Sequence, residues 1–125
     1  PERKEAILRL MKRYKHLVLV ESPWQDDVTS YTTNKGEEIA LCLRSKEEDN
    51  LGEIHEIDMI MYVAIHEMAH VMAESYIAGK SHNAEFYDNF GFLLSVAREK
   101  QLIDKTDYAS VPEMYCGLRI SEKII

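Results

Sequence analysis

Residues 58–77 read DMIMYVAIHEMAHVMAESYI, and this stretch decides the fold of the 125-residue chain. Apolar side chains occupy nearly every side of the helix that it would form, which is typical of a central helix buried over most of its surface. Asp58 is a suitable N-cap residue, and Gly79 is a suitable residue to end the helix. We therefore expect one long buried helix over about residues 58–77.

Two histidines and a glutamate lie close together in the middle of this apolar helix. His66, Glu67 and His70 match the pattern H-E-x-x-H, in which two histidines four residues apart point the same way and reach one metal ion. Glu67, beside the ion, is placed to take a proton from an attacking water molecule. The pattern predicts Zn²⁺ bound by His66 and His70. The alternative is a pair of core histidines hydrogen-bonded to their neighbours.

A catalytic zinc ion usually takes three protein ligands, so a third must come from elsewhere. We expect it to be His82, which follows a turn at residues 79–81 that can reverse the chain and begins the next helix. Glu85, on the first turn of that helix, is the rival. Glu74 is less favourable, because a straight helix carries it along the axis away from the ion.

The rest of the chain predicts further helices and strands around this helix. Apolar residues spaced by three and four favour amphipathic helices at 2–15 and at 83–101. Strands are expected at 16–21, near 28–32, and at 38–44, where apolar and other residues alternate. This order predicts an α+β domain with a small twisted sheet, and we expect strand 38–44 to be the edge that borders the cleft.

Composition and charge favour a single domain and argue against membrane-spanning and nucleic-acid-binding proteins. A length of 125 residues and 46% hydrophobic residues suit a single domain covering residues 1–125. There is no apolar run long enough for a membrane span. The chain begins with Pro1 rather than Met, which leaves open that it is part of a longer protein. The net charge of −7 argues against a nucleic-acid-binding domain, although Arg9, Lys12 and Arg13 would share one basic helix face.

The two cysteines do not form a recognisable motif. Cys42 and Cys116 lie far apart and belong to no CxxC pair, so we expect two buried thiols in a reducing compartment, with one disulfide as the alternative. Together with the lack of a signal peptide, this predicts an intracellular rather than a secreted protein.

The motif and the residues after it resemble the WLM and SprT-like metalloproteases. The resemblance covers residues 58–97 well and rests on HEMAHV at 66–71 and SHNAEFYDNFGFLL at 81–94. The positions that match the family pattern are His66, Glu67, His70, His82 and Phe86. Compact versions occur in large DNA viruses, and the tail segment Tyr115-Cys116-Gly117 is similar to theirs.

This resemblance implies a minimal zincin fold, zinc as the cofactor, Glu67 as general base and a protein or peptide substrate. In well-studied members of the family the substrates are proteins crosslinked to DNA. The spacing between His70 and His82 departs from both family types, and these 125 residues contain none of the separate DNA-binding segments of such enzymes. The zinc site therefore carries over, whereas association with DNA rests on analogy and is not expected for this domain alone.

A tyrosine often completes such sites by donating a hydrogen bond to the oxyanion. Tyr115 is the first candidate, because the tail can return across the cleft, and Tyr108 is the second; either can instead pack on the core. The sequence thus predicts a zinc metallopeptidase. The alternatives are a zinc-binding scaffold without proteolytic activity and a zinc amidase of another class.

Overall fold

The computed structural model describes residues 2–22, 30–33, 38–73, 82–104, 106–116 and 118–124, and every structural statement below concerns these residues. They form an α+β fold, as predicted. The elements in chain order are α1 (Glu2–Tyr14), β1 (Val18–Glu21), β2 (Tyr31–Thr33), β3 (Glu38–Leu41), a short 3-10 turn (Glu48–Asn50), α2 (Ile57–Met72), α3 (Ala84–Glu99), β4 (Glu113–Tyr115) and β5 (Leu118–Ile120).

The three N-terminal strands form one mixed sheet in the order β1-β3-β2. Strand β3 pairs in parallel with β1 and antiparallel with β2, with Thr32 opposite Ile39. The prediction that residues 38–44 form the edge strand was wrong: β3 is central and largely buried, and β2 is the edge strand that also contacts α2. Strands β4 and β5 form a separate antiparallel hairpin.

Helix α2 is the predicted central helix, but its ends differ from the prediction. The N-cap residue is Glu56 rather than Asp58, whose carboxylate instead accepts the backbone N–H of Asp104 at 2.8 Å. The helix ends at Met72, and Ala73 is extended. Residues 74–81, which include the expected stop at Gly79, lie outside the described part of the chain.

Two arginines of α1 hold the C-terminal end of α2. Arg9 donates to the carbonyl of Met72 at 2.9 Å, and Arg13 donates to the carbonyls of Val71 and Ala73, both at 2.6 Å. The last carbonyls of a helix lack partners within the helix and carry partial negative charge, so a guanidinium group satisfies both needs. Arg9 and Arg13, two of the three residues of the predicted basic face, therefore bind the protein itself.

The hydrophobic core lies between α2, α3 and the sheet. Phe86, Phe90 and Leu94 of α3 are buried against α2, as the predicted apolar stripe required. Tyr62 of α2 packs edge-on against both Phe90 and Tyr108. No helix among the described residues combines the length and apolar character that crossing a membrane needs.

The two cysteines form a disulfide, so the expectation of two free thiols was wrong. Cys42 follows β3, Cys116 follows β4, and their Cα atoms lie 6.4 Å apart across a sequence separation of 74 residues. Both side chains are buried. The bond fastens the β4–β5 hairpin to the sheet. The expected intracellular location rested partly on free thiols and stays a prediction.

Candidate metal centre

Three histidines converge at the junction of α2 and α3. His66 and His70 lie one turn apart on α2, and His82 immediately precedes Asn83, the N-cap residue of α3. The Nε2 atom of His82 lies 3.2 Å from the Nε2 atoms of both His66 and His70. All three candidate ligand atoms lie within 4.8 Å of one another. The structure thus brings together the three residues that the sequence singled out.

The spacing of these nitrogens fits a tetrahedral metal ion. Zinc–nitrogen bonds of about 2.0–2.1 Å at tetrahedral angles separate two ligating nitrogens by roughly 3.3 Å. The separations of His82 Nε2 from His66 Nε2 and from His70 Nε2 are both close to that value. Hydrogen bonds alone satisfy the arrangement poorly, because a neutral Nε2 carries either one proton or one lone pair and His82 faces two other nitrogens.

The protonation state of the cluster also suits a metal. Burial, together with the neighbouring charges of His70 and His82, lowers the pKa of His66 to about 3. A histidine must be neutral to bind a metal through its ring nitrogen. His66 is therefore held in the form that acts as a ligand across the whole physiological pH range.

Phenylalanine rings of α3 pack against the three imidazoles, of which His66 and His70 are half-buried and His82 is exposed. Phe86 stacks on His70 with ring centroids 4.4 Å apart and contacts His66 and His82 edge-on at 4.8 Å. Phe90 closes the other side of His66 at 5.2 Å. These rings restrict the orientation of the imidazoles and exclude water from one side of the site, which strengthens electrostatic interactions there.

The local structure around His82 explains how it reaches the cluster. The side chain of Asn83 accepts the backbone N–H of Phe86 at 3.0 Å, which is the usual N-cap interaction. The side-chain amide of Asn89, one turn further along α3, donates to the carbonyl of Ala69 at 3.4 Å. These contacts fix the start of α3 against α2, and so fix the position of the residue just before it.

Glu67 follows His66 directly on α2, and its side chain is 5% exposed. Burial raises the pKa of its carboxyl group to about 7, and a hydrogen bond from Thr32 opposes that rise. The hydroxyl of Thr32 lies 2.7 Å from Glu67 Oε1. The sequence gives no signal for the role of Thr32. It belongs to a short strand, and no local sequence pattern predicts that this strand contacts α2.

Glu85 and Glu74 are the other residues considered as the third ligand. Glu85 is in the first turn of α3, but it does not belong to the group of neighbouring ligand atoms found among the described residues. Glu74 lies outside the described residues. The ligand assignment to His82 stays a prediction, and the geometry favours it over Glu85.

The two tyrosines proposed for the oxyanion have structural contacts instead. Tyr115 is buried, and its hydroxyl lies 2.6 Å from Ser30 Oγ and 2.5 Å from the carbonyl of Cys42. Tyr108 is buried against Tyr62. The hydroxyl proton of Tyr115 is thus committed to a backbone carbonyl, so this geometry gives the predicted oxyanion role no support.

Comparison with known proteins identifies the family. The family model described as the WLM domain matches residues 3–109, most of the chain. The chain belongs to the WLM domain family. The resemblance read from the motif is thereby confirmed, and the WLM match now extends over the N-terminal helix and sheet as well.

Similar proteins include a viral protein and a yeast protein of known structure. The chain is 38% identical over 124 residues to protein R325 of Acanthamoeba polyphaga mimivirus, covering 99% of this chain and 59% of that relative's length. The crystal structure of Wss1 from Saccharomyces cerevisiae matches with a TM-score of 0.50 and 23% identity, over 77% of this chain and 73% of Wss1. The crystal structure of a Wss1 mutant matches with the same TM-score and 21% identity, over 79% of this chain and 86% of that chain. At such identities the structural likeness shows a shared fold.

Proposed function

We propose that this WLM domain is a zinc-dependent metallopeptidase that hydrolyses peptide bonds. The observation that carries the proposal is the convergence of three histidine Nε2 atoms at metal-binding distances, with Glu67 on the same helix. Membership of a metalloprotease-like family agrees with it. The motif, the geometry and the family point to one chemistry.

The residues divide the work of hydrolysis between them. His66, His70 and His82 would hold the ion, which supplies Lewis acidity to water and to the substrate carbonyl when it is bound. Glu67 would accept the proton of the attacking water and later deliver it to the leaving amine. Its environment suits both steps, because burial raises the carboxyl pKa to about 7, whereas a bound cation would lower it again.

Strand β2 supports an extended peptide as the substrate. It is an edge of the described sheet and contacts α2, the helix that carries the histidines and Glu67. An extended peptide can add to such an edge through main-chain hydrogen bonds, with its scissile bond over the metal centre. This assigns to β2 the substrate-binding edge that the sequence had led us to expect at residues 38–44.

Glu67→Gln tests the proposal, because it keeps the shape of the side chain and removes the base. We expect it to retain zinc and to lose at least about a hundredfold in cleavage of denatured protein and of peptide libraries. Glu85→Gln, a carboxylate-to-amide change on the first turn of α3, is the matched control and should keep both zinc and activity.

One outcome would contradict the role of Glu67, and two others would contradict the peptidase assignment itself. Full activity in Glu67→Gln would show that Glu67 is not the base. Zinc binding by the wild-type protein without cleavage of any peptide or protein would favour a scaffold. Hydrolysis of small amides with none of peptides would favour an amidase.

A further inference from the structure

The contact between Thr32 and Glu67 joins the sheet edge to the metal helix. Thr32 Oγ1 lies 2.7 Å from Glu67 Oε1, within the range of a strong O–H···O hydrogen bond to a carboxylate. The same oxygen is 3.4 Å from the Glu67 backbone carbonyl, so the hydroxyl proton is directed to the carboxylate. An ionised carboxylate has no proton to give, so the threonine is the donor.

A closed ring of hydrogen bonds fixes the strand just before Thr32. The backbone N–H of Cys42 donates to Ser30 Oγ at 2.9 Å, Ser30 Oγ and Tyr115 Oη lie 2.6 Å apart, and the Tyr115 hydroxyl reaches the carbonyl of Cys42 at 2.5 Å. Each hydroxyl has one proton. Since Tyr115 gives its proton to the carbonyl, Ser30 donates to Tyr115, and every donor in the ring has an acceptor.

The pairing of β2 with β3 completes this support. Thr32 lies opposite Ile39, a buried residue of the central strand. The pairing with β3 thus fixes the backbone of Thr32, and the ring of hydrogen bonds at Ser30 fixes the chain just before it. A side chain on so well-fixed a backbone can hold its partner in one orientation, which a loop residue would do less well.

We propose that Thr32 is a positioning residue for Glu67, and this inference rests on the proposed peptidase function. The terminal torsion of a glutamate is broad and roughly twofold, so either carboxylate oxygen of an unrestrained Glu67 would face the attacking water. The hydrogen bond from Thr32 holds Oε1 and leaves Oε2 as the oxygen that takes the proton. In that step one O–H bond of water breaks, a proton joins Oε2, and the water oxygen bonds to the carbonyl carbon while the C=O π pair moves to the carbonyl oxygen. That pair then re-forms the C=O bond, the peptide C–N bond breaks with its electron pair on nitrogen, and the nitrogen takes the proton from Oε2.

Thr32→Val removes the hydroxyl with little change of shape and tests this role. We expect kcat to fall about tenfold, the scale of one lost charge-assisted hydrogen bond, with KM and zinc content within about twofold of the wild type. Thr32→Ser restores the hydroxyl and should recover most of kcat. Thr106→Val is the matched control, because Thr106 is buried and bonded to Arg98 at the end of α3 remote from His82. It should leave kcat unchanged.

A double-mutant cycle on zinc-free protein gives a readout that needs no catalysis. At pH 8 we expect Thr32→Val to lower the melting temperature by several degrees in the wild-type background and by less than half as much in Glu67→Leu. Thr32→Ala with Thr32→Ser gives the same comparison if Thr32→Val does not fold. Equal shifts in both backgrounds, or an unchanged kcat in Thr32→Val, would overturn the proposal.

The kinetic measurements and the stability cycle together distinguish a failure of this inference from a failure of the proposed function. If the wild-type protein cleaves nothing, the peptidase assignment fails, and the stability cycle still decides whether Thr32 and Glu67 are coupled. If the wild type is active and Glu67→Gln is not, but Thr32→Val matches the wild type, then the peptidase assignment stands and the positioning role of Thr32 is refuted.

Discussion

His66 and His82 are sixteen positions apart in the sequence, and their Nε2 atoms lie 3.2 Å apart. One comes from the middle of α2 and the other from the residue before the N-cap of α3, so the packing of the two helices sets the distance. A third ligand from a separate element leaves the geometry of α2 undistorted. It also makes the metal site dependent on the packing of α3 against α2. Metal binding and folding are therefore expected to be linked.

Metal content gives the first prediction. We expect near-equimolar zinc in the purified protein, and loss of it in His66→Ala and in His70→Ala. His82→Ala should weaken zinc affinity by more than the roughly 10–100-fold typical of changes around a site's direct ligands. Elemental analysis measures the zinc content, and zinc titration measures the affinity. Glu85→Ala should bind zinc normally; if it alone strips the metal, the third ligand has been assigned wrongly.

Arg13 gives the second prediction, because its guanidinium closes the C-terminal end of α2. Replacing it with Met keeps the aliphatic length and removes the donors to Val71 and Ala73. We expect the free energy of unfolding to fall by about 2 kcal/mol, as for hydrogen bonds made by charged groups. Urea denaturation measures this. Lys12→Met, an exposed neighbour on the same helix, should change stability by under about 0.5 kcal/mol, and an equal loss there would contradict the capping role.

The sequence predicted the centre of this molecule better than its edges. The apolar composition of α2 and the stripe of α3 are local patterns, so both helices and the histidine motif followed from spacing alone. The end of α2 could not be predicted in this way, because its last carbonyls accept hydrogen bonds from Arg9 and Arg13, about sixty positions earlier in the chain. A cap supplied from another element leaves no signal in the helix itself.

Features that depend on long-range pairing were the ones missed. Alternation of apolar residues at 38–44 indicates a strand but does not say whether one or two strands pair with it, so the central position of β3 cannot be predicted from it. The bond between Cys42 and Cys116 spans 74 positions and has no spacing motif. Thr32 reaches Glu67 only because β2 lies against α2, which no local pattern encodes.

His55 gives the third prediction, which concerns pH. Its Nε2 accepts the backbone N–H of Cys116 at 3.3 Å, and its ring packs 4.9 Å from that of Tyr115. Burial lowers the pKa of His55 below 6.5, with Glu47 opposing. The folded state thus holds His55 neutral, and its contribution to stability is present above pH 6.5 and lost as the pH falls through the lowered pKa.

Urea denaturation at pH 7.5 and 5.5 measures this contribution. His55→Gln keeps an acceptor for the Cys116 N–H and cannot titrate, so its stability should change less between the two pH values than that of the wild type. The exposed His16 is the control, and His16→Gln should follow the wild-type pH dependence. A His55→Gln protein that loses as much stability on acidification as the wild type would rule out His55 as a source.

Binding of nucleic acid gives the last prediction, and the structure sharpens it. The basic face expected on α1 is largely engaged within the protein, because Arg9 and Arg13 bind carbonyls of α2 and Arg3 pairs with Asp88. Among the described basic residues of this segment, Lys4, Lys12 and Lys15 are exposed to solvent. Charge reversal at Arg9 and Arg13 would damage α2, so it cannot test binding cleanly, whereas Lys4→Glu with Lys12→Glu can.

Affinity for duplex DNA comes largely from phosphate neutralisation and counterion release, so about three lysines on a chain of net charge −7 supply little. We expect no measurable binding at physiological salt. At low salt we expect weak binding, with a logarithmic salt slope no steeper than about −3, that Lys4→Glu with Lys12→Glu abolishes. Fluorescence anisotropy over a salt series measures both. Submicromolar, salt-resistant binding by this domain would contradict the argument from charge and would make DNA-linked proteins its first substrates to test.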